Sequence, residues 1–174
     1  PDIPDFAALR EQVRTMPDHD EAFAEYIGFV GNVVTGFVLT DSGDFDPPRQ
    51  RGNFAYSSAD VTDPPRTHVG NFFGALHNLP VLEEAAAGNG NFNVVPELDG
   101  LIRRVPLVSG LRKSETASED DRLYPLISIE ALRVVQGAKT MKIKLSGGSG
   151  EESFGERTGI ASIQIGQFTV PTDS

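Results

Sequence analysis

The spacing of apolar positions changes along the chain, and each spacing predicts a different element. Near the start, apolar residues recur three or four positions apart, which is the spacing of one helix face. They predict one helix over residues 5–15, capped by Asp5, and a second that is opened by Asp18 or Asp20 and stops at Gly31 and Asn32. Residues 32–40 are almost continuously apolar and rich in β-branched side chains. They predict a central strand that is covered on both faces.

The next part of the chain is less regular. Residues 41–69 contain four prolines and predict a long loop with a short helix or strand inside it. Residues 80–87 predict a helix, because Pro80 suits the first turn and Gly88 follows its end.

Residues 88–108 predict a β-hairpin. Its strands are residues 91–95 and 101–108, and the Pro-Glu-Leu-Asp-Gly segment between them has the composition of a turn. Because side chains alternate along a strand, Arg103 and Arg104 are expected on opposite faces of the second strand.

The last third predicts one long helix and a final hairpin. Residues 124–136 carry apolar side chains around most of a helix circumference, which is typical of a deeply packed helix. Residues 141–145 alternate lysine with apolar residues and predict a strand with one solvated face. Residues 160–165 and 167–170 predict a hairpin around Gly166.

Together these elements predict one domain over residues 1–174. Its fold class is α+β, with a mixed, largely antiparallel sheet of five or six strands and about four packed helices. A chain of 174 residues that is 39% hydrophobic is long and apolar enough for a core. No apolar run approaches the roughly 20 residues that span a bilayer. The first residue is Pro1 rather than Met, which suggests a piece excised from a longer protein.

Charge and composition narrow the chemistry. The net charge of −10 disfavours nucleic acid as a partner, because phosphate binding needs clustered lysine and arginine. The absence of cysteine excludes thiol catalysis, thiolate metal sites and disulfides. His19, His68 and His77 are not spaced as metal-ligand pairs, so we predict no metal site, no cofactor and no catalytic residue.

Two groups of side chains are candidates for a ligand site. Arg103 and Arg104 with Asp99 suit a small anion, because guanidinium groups match carboxylates. Asn91 and Asn93 alternate along the predicted first strand, and their amides suit a polar ligand. Two plainer interpretations stay open: the arginines pair with surface acids of this acidic protein, and the asparagines form turns or a solvated edge.

Several short motifs occur in a fixed order. They are Gly-x-x-Asn-x-x-Pro-x-x-Asp-Gly-x-x-Arg-x-x-Pro-Leu at residues 90–107, Tyr-Pro-x-x-x-x-Glu-Ala-Leu-Arg at residues 124–133, and Gly-x-x-x-x-Pro-Thr-Asp at residues 166–173. In this order and spacing, the chain resembles the central portion of the type-2 CHASE domain, the cyclase- and histidine-kinase-associated sensory extracellular domain.

The resemblance implies an extracytoplasmic, ligand-sensing domain of a bacterial transmembrane receptor. In such a receptor, an unknown small molecule or envelope stimulus biases the domain, and membrane helices relay the bias to a cytoplasmic cyclase or kinase, as in two-component systems. It implies a membrane-anchored parent protein, a domain without enzymatic activity of its own, and a homodimer as one state. Any pocket is expected between residues 88–108 and the 41–69 loop. Two alternatives stay open: a soluble hydrolase-like enzyme, and an envelope interaction module.

Overall fold

The computed structural model describes residues 6–56, 64–94, 96–116, 121–146 and 159–173. These ranges contain the helices α1 (Phe6–Arg14), α2 (His19–Val30), α3 (Pro80–Ala85) and α4 (Ile127–Val135), and a 3₁₀ turn at Pro65–Thr67. They also contain the strands β1 (Val34–Thr40), β2 (Asn53–Tyr56), β3 (Asn71–Phe72), β4 (Gly74–Leu76), β5 (Gly88–Asn91), β6 (Val108–Leu111), β7 (Arg122–Pro125), β8 (Thr140–Leu145), β9 (Ile160–Ile165) and β10 (Phe168–Pro171).

The strands form three mixed sheets. Their orders are β4-β1-β5, β10-β9-β8-β2 and β3-β6-β7. Each sheet holds one parallel pair, namely β1 with β5, β2 with β8, and β3 with β6. The α+β class and the mixed pairing are confirmed, whereas the expectation of one largely antiparallel sheet is wrong. The parallel partners are far apart in the sequence, and a crossover of this kind leaves no local signal.

Strand β1 lies in the middle of its sheet, as residues 32–40 predict. Phe37 and Leu39 are buried on it, next to Leu111 and Tyr124 from the third sheet. The rings of Phe37 and Tyr124 meet edge to face, with centroids 5.0 Å apart. This cluster therefore joins two sheets through one aromatic pair.

Of the two candidate N-caps, helix α2 uses Asp18, and the helix stops where predicted. The Asp18 carboxylate accepts the N–H groups of Asp20 and Glu21, and the helix ends at Gly31 with a φ of 72°. The side chains of residues 8–14 in α1 are all exposed, and Asp5 lies outside the described residues. Three helices, α2, α3 and α4, pack against other elements, which is fewer than the predicted four.

The predicted hairpin over residues 88–108 is not formed. Strand β5 ends at Asn91 and runs parallel to β1, while β6 begins only at Val108 and pairs with β3 and β7. Arg103 and Arg104 therefore lie in a loop and not on the two faces of a strand. The prediction failed because the Gly-Asn-Gly-Asn segment reads as a turn but finds its strand partner far upstream.

The turn within this region does form. The Gly100 N–H donates to the Glu97 carbonyl over 2.8 Å, and Gly100 has a φ of 79°. Residue 95, at the end of the predicted first strand, lies outside the described residues. The local turn chemistry was thus predictable, whereas the pairing of its flanks was not.

The long helix predicted over residues 124–136 begins three residues later, at Ile127. Tyr124 and Pro125 belong to β7, where they pair with Ser109 and Val108 of β6. The sheet pairing overrides the helical pattern of apolar residues at this point. Strand β8 and the β9–β10 hairpin around Gly166 are as predicted, and β8 has alternate buried residues.

A buried ion pair connects α4 to β5. Arg133 donates to both carboxylate oxygens of Glu130, at 2.7 and 2.8 Å, and Glu130 is completely buried. Arg133 also donates to the carbonyls of Ala87 and Ala138, each over 2.9 Å. Glu130 in turn accepts the N–H of Asn89 over 3.2 Å. These bonds fix the helix against the strand and the following turn.

Tyr124 anchors the 41–56 segment to the core. Its hydroxyl donates to the carbonyl of Pro48 over 2.7 Å, and its side chain is fully buried. Desolvation, with a smaller contribution from the negative charges of Glu83 and Asp46, raises the pKa of the phenol well above its usual value.

The raised pKa predicts a loss of stability at alkaline pH. Above about pH 10 the unfolded state releases the phenol proton while the folded state keeps it. The contribution of Tyr124 to the free energy of unfolding is therefore complete below about pH 10 and declines above it. Tyr124→Phe should lack that decline. At neutral pH its free energy of unfolding should be lower by about 1–3 kcal/mol, because the Pro48 carbonyl loses its hydrogen-bond donor. Urea unfolding of both proteins across the alkaline range measures this, and parallel pH profiles would contradict it.

Candidate functional site

An open groove of about 760 Å³ lies between β6, the β9–β10 hairpin, Phe72 of β3 and two loop segments, residues 68–70 and 103–107. This volume is within the range of small-molecule sites. Its apolar walls include Val69, Leu107, Val108, Ile160, Ile163 and Val170, which all belong to or pack on the larger core cluster. Of the two regions between which a pocket was expected, residues 68–69 and 103–108 line the groove, and the β9–β10 hairpin adds a third wall.

Arg103 lies at the rim of the groove with its guanidinium already paired. It donates to both oxygens of Asp99, at 3.0 and 2.7 Å, and to Glu97 over 2.8 Å. The hydrogen bonds from Arg103 lower the pKa of Asp99, and those to Asp99 and Glu97 raise the pKa of Arg103. The plainer interpretation, pairing with surface acids, is confirmed for this arginine. An anionic ligand would compete with two carboxylates here.

Arg104 joins two distant parts of the chain across the rim. Its Nε donates to Asp173 over 2.9 Å, and both side chains are about three-quarters exposed. Together with Arg103, the rim has two arginines and three partner acids, Glu97, Asp99 and Asp173. Among the residues that the structure describes, the rim therefore has no excess of positive charge that would select an anion.

Asn91 and Asn93 are not among the residues that line the groove. Asn91 is fully buried, and its Nδ2 donates to the carbonyls of Tyr124 and Pro125, at 3.2 and 2.9 Å. The amide of Asn93 pairs with both the N–H and the carbonyl of Leu39, each over 2.7 Å. Both amides thus serve as links between strands, and a solvated edge does not describe Asn91. Ligand binding by these asparagines stays a prediction.

Ser109 is a groove residue that the sequence interpretation missed. It is 1% exposed, and its Oγ has no hydrogen-bond partner among the described residues. An unpaired buried hydroxyl costs about 1–3 kcal/mol of stability. The only signal in the sequence was a serine within the apolar run Leu107–Leu111, which is also typical of a core hydroxyl.

His77 is the histidine with the most ionic surroundings. Its Nε2 lies 3.0 Å from Asp46, and its Nδ1 lies 3.2 Å from the Asn78 carbonyl and 3.6 Å from Glu83. In the described ranges no hydroxyl is hydrogen-bonded to this ring, so the cluster lacks the nucleophile of a hydrolytic triad. The same ranges hold no group of acidic and histidine side chains arranged to bind a metal.

No helix in the described part of the chain combines the length and apolar character that crossing a membrane requires. Comparisons of the chain with models of protein families, with curated proteins and with solved structures find no match. A function for the groove is therefore inferred from its own residues and from the motifs that they belong to.

Proposed function

We propose that this chain is an extracytoplasmic ligand-sensing domain of a bacterial transmembrane receptor, of the type-2 CHASE kind, and that the groove binds the sensed molecule. One observation carries the proposal. The ends of two of the motifs, residues 103–107 and 171–173, both line the groove. They are far apart in the sequence, and the Arg104–Asp173 ion pair joins them.

The lining of the groove supports a particular class of ligand. Its walls are mostly aliphatic, and its rim has balanced ion pairs. These features suit a largely apolar, neutral molecule. They do not suit the small anion that Arg103 and Arg104 would favour if they were free of partners.

The position of the groove supports a sensing role. A ligand there contacts both the 103–107 loop and the β9–β10 hairpin, which otherwise meet at the exposed Arg104–Asp173 pair. Exposed pairs of this kind contribute only about 0–1 kcal/mol. A bound molecule with a differential affinity can therefore shift the relative populations of two arrangements of these segments.

A thermal-shift screen tests the groove. We expect a neutral, amphipathic molecule at roughly 100 times its Kd to raise the Tm by about 5–10 °C, because it binds only the folded state. Val170→Trp fills the groove and should abolish that shift. Val135→Trp, on an exposed position of α4, is the matched control and should keep it. A shift that survives Val170→Trp would contradict the proposal, as would a screen with no stabilising molecule.

The receptor role is tested in the full-length gene product. The molecule found in the screen should change the activity of a cytoplasmic cyclase or kinase module, and Val170→Trp should abolish the response. A full-length product without a membrane-spanning segment would contradict the role and leave the groove assignment in place.

The exposed face of the N-terminal helices favours the envelope interaction module as a second candidate. The apolar side chains that are at least half exposed there are Leu9, Val13, Met16, Phe23, Tyr26 and Phe29. Exposed apolar side chains in this number are typical of a protein contact surface. It does not compete with the groove, because none of these residues lines it.

A further inference from the structure

The Asp99–Gly100 step has the composition that favours isoaspartate formation, a rearrangement of the main chain at aspartate or asparagine. In this reaction the main-chain nitrogen of the following residue attacks the side-chain carbonyl carbon, and a following glycine has no side chain to hinder the attack. The sequence contains one Asp-Gly step, at Asp99, and one Asn-Gly step, at Asn89. The surroundings of each step decide whether it reacts.

Burial protects the Asn89–Gly90 step. Asn89 is 1% exposed and lies in β5, which pairs with β1. Its Nδ2 donates to the Arg49 carbonyl over 3.2 Å, and its Oδ1 accepts the Thr35 hydroxyl over 3.1 Å. Ring closure requires the amide to leave both partners, so this step is expected to react only in the unfolded chain.

Hydrogen bonds, and not burial, restrain the Asp99–Gly100 step. The Asp99 side chain is about half exposed. Arg103 donates to both of its carboxylate oxygens, at 3.0 and 2.7 Å, and the Leu101 N–H donates to Oδ1 over 3.1 Å. The attacking group, the Gly100 N–H, already donates to the Glu97 carbonyl over 2.8 Å. Both reacting groups are therefore engaged in the folded turn.

Arg103 also keeps the Asp99 carboxyl ionised. Its hydrogen bonds lower the pKa of Asp99, and the Leu101 N–H lowers this pKa further. Ring closure expels the carboxyl oxygen as water, so it proceeds from the neutral carboxylic acid and is slow from the carboxylate. Glu97 is the other titratable group at this guanidinium, and it accepts from Arg103 over 2.8 Å. The guanidinium thus opposes the reaction through both geometry and charge.

We propose that Asp99 is a site of isoaspartate formation and that Arg103 controls its rate. When the ion pair opens and the carboxyl takes up a proton, the Gly100 nitrogen forms a bond to the Asp99 Cγ. The carboxyl hydroxyl and the N–H hydrogen leave together as one water molecule, which gives a succinimide ring. Water then adds back. Cleavage at Cγ restores aspartate, and cleavage at the main-chain carbonyl gives isoaspartate of the same mass.

The modification would alter the rim of the groove. Isoaspartate routes the main chain through Cγ, so one additional carbon atom enters the turn that the Gly100–Glu97 hydrogen bond closes. Arg103 follows this turn and lines the groove. The reaction needs no ligand and no partner, so the proposal does not depend on the sensing role.

Peptide mapping of the folded protein after prolonged warm incubation at about pH 5 tests the proposal. We expect Arg103→Gln to form isoaspartate at Asp99 about threefold to tenfold faster than the wild type, because more of the carboxyl is then protonated. Arg104→Gln is the matched control. It removes the neighbouring charge but breaks the pair with Asp173, so its rate should equal that of the wild type. Arg103→Lys keeps the cation and should react at an intermediate rate.

The pH dependence separates the charge effect from a loosened turn. The rate should fall as pH rises through the pKa of Asp99. Arg103→Gln should move this fall to higher pH, because the cation that lowers the pKa is gone. Wild-type protein unfolded in urea should react faster than folded protein. An Arg103→Gln rate no higher than that of Arg104→Gln would overturn the proposal, as would an unchanged pH profile or equal rates in folded and unfolded wild type.

Discussion

Replacing Arg133 with Met is expected to lower the free energy of unfolding by about 3–5 kcal/mol, because it leaves the Glu130 carboxylate buried without its cation. Glu130 is 0% exposed and receives two hydrogen bonds from Arg133. The substitution also removes the donors to Ala87 and Ala138, which tie α4 to the start of β5 and to the turn after the helix. Urea unfolding followed by circular dichroism measures the loss.

Two further variants separate the effect of burying the Glu130 charge from the effect of losing an arginine charge. Arg104→Met breaks the exposed ion pair with Asp173 and should cost at most about 1 kcal/mol. The double variant Arg133→Met with Glu130→Leu removes both charges, and it should be more stable than Arg133→Met alone, since no unpaired buried charge is left. If Arg133→Met costs no more than Arg104→Met, the buried pair does not stabilise the α4–β5 contact.

This pair also shows what the sequence could predict. Glu130 and Arg133 are three residues apart, so their pairing followed from helix geometry. Helix spacing alone predicts a pair on the helix surface, whereas the structure buries the pair. The burial depends on glycines that come some forty residues earlier, and no local pattern connects the two segments.

In the other elements too, features that depend on sequence neighbours were predictable, whereas contacts between distant segments were not. The caps of α2, the alternation of β8 and the turn of the β9–β10 hairpin were predictable, because each depends on neighbours within a few residues. Strand β5 was not predictable, because its Gly-Asn-Gly-Asn segment has poor strand propensity and is stabilised by its contacts with β1 and α4. In the groove, the Arg103–Asp99 pair follows from a four-residue spacing. The Arg104–Asp173 pair and the buried Ser109 depend on contacts that the fold alone creates.

Gly90→Ala is expected to destabilise the protein by about 1–3 kcal/mol, and Gly90→Val by more, because α4 lies directly on the backbone of β5. A Cβ at position 90 would come within 2.6 Å of the Cα and 3.0 Å of the N of Ile127. These are backbone atoms at the start of α4, so relief requires the whole helix to move. Thermal or urea unfolding of the variants measures the effect.

Two further glycine variants distinguish contact with the α4 backbone from a general intolerance of substitution at glycine positions. At Gly88 a Cβ would meet side-chain atoms of Glu130 and Val134, each at 2.9 Å, and side chains can rotate. Gly88→Ala should therefore cost less than Gly90→Ala. Gly28, inside α2, has no atom within 4 Å of a Cβ, so Gly28→Ala should stabilise the helix by about 0.5–1 kcal/mol. If all three variants lose equal stability, direct contact between α4 and β5 is not what selects glycine at position 90.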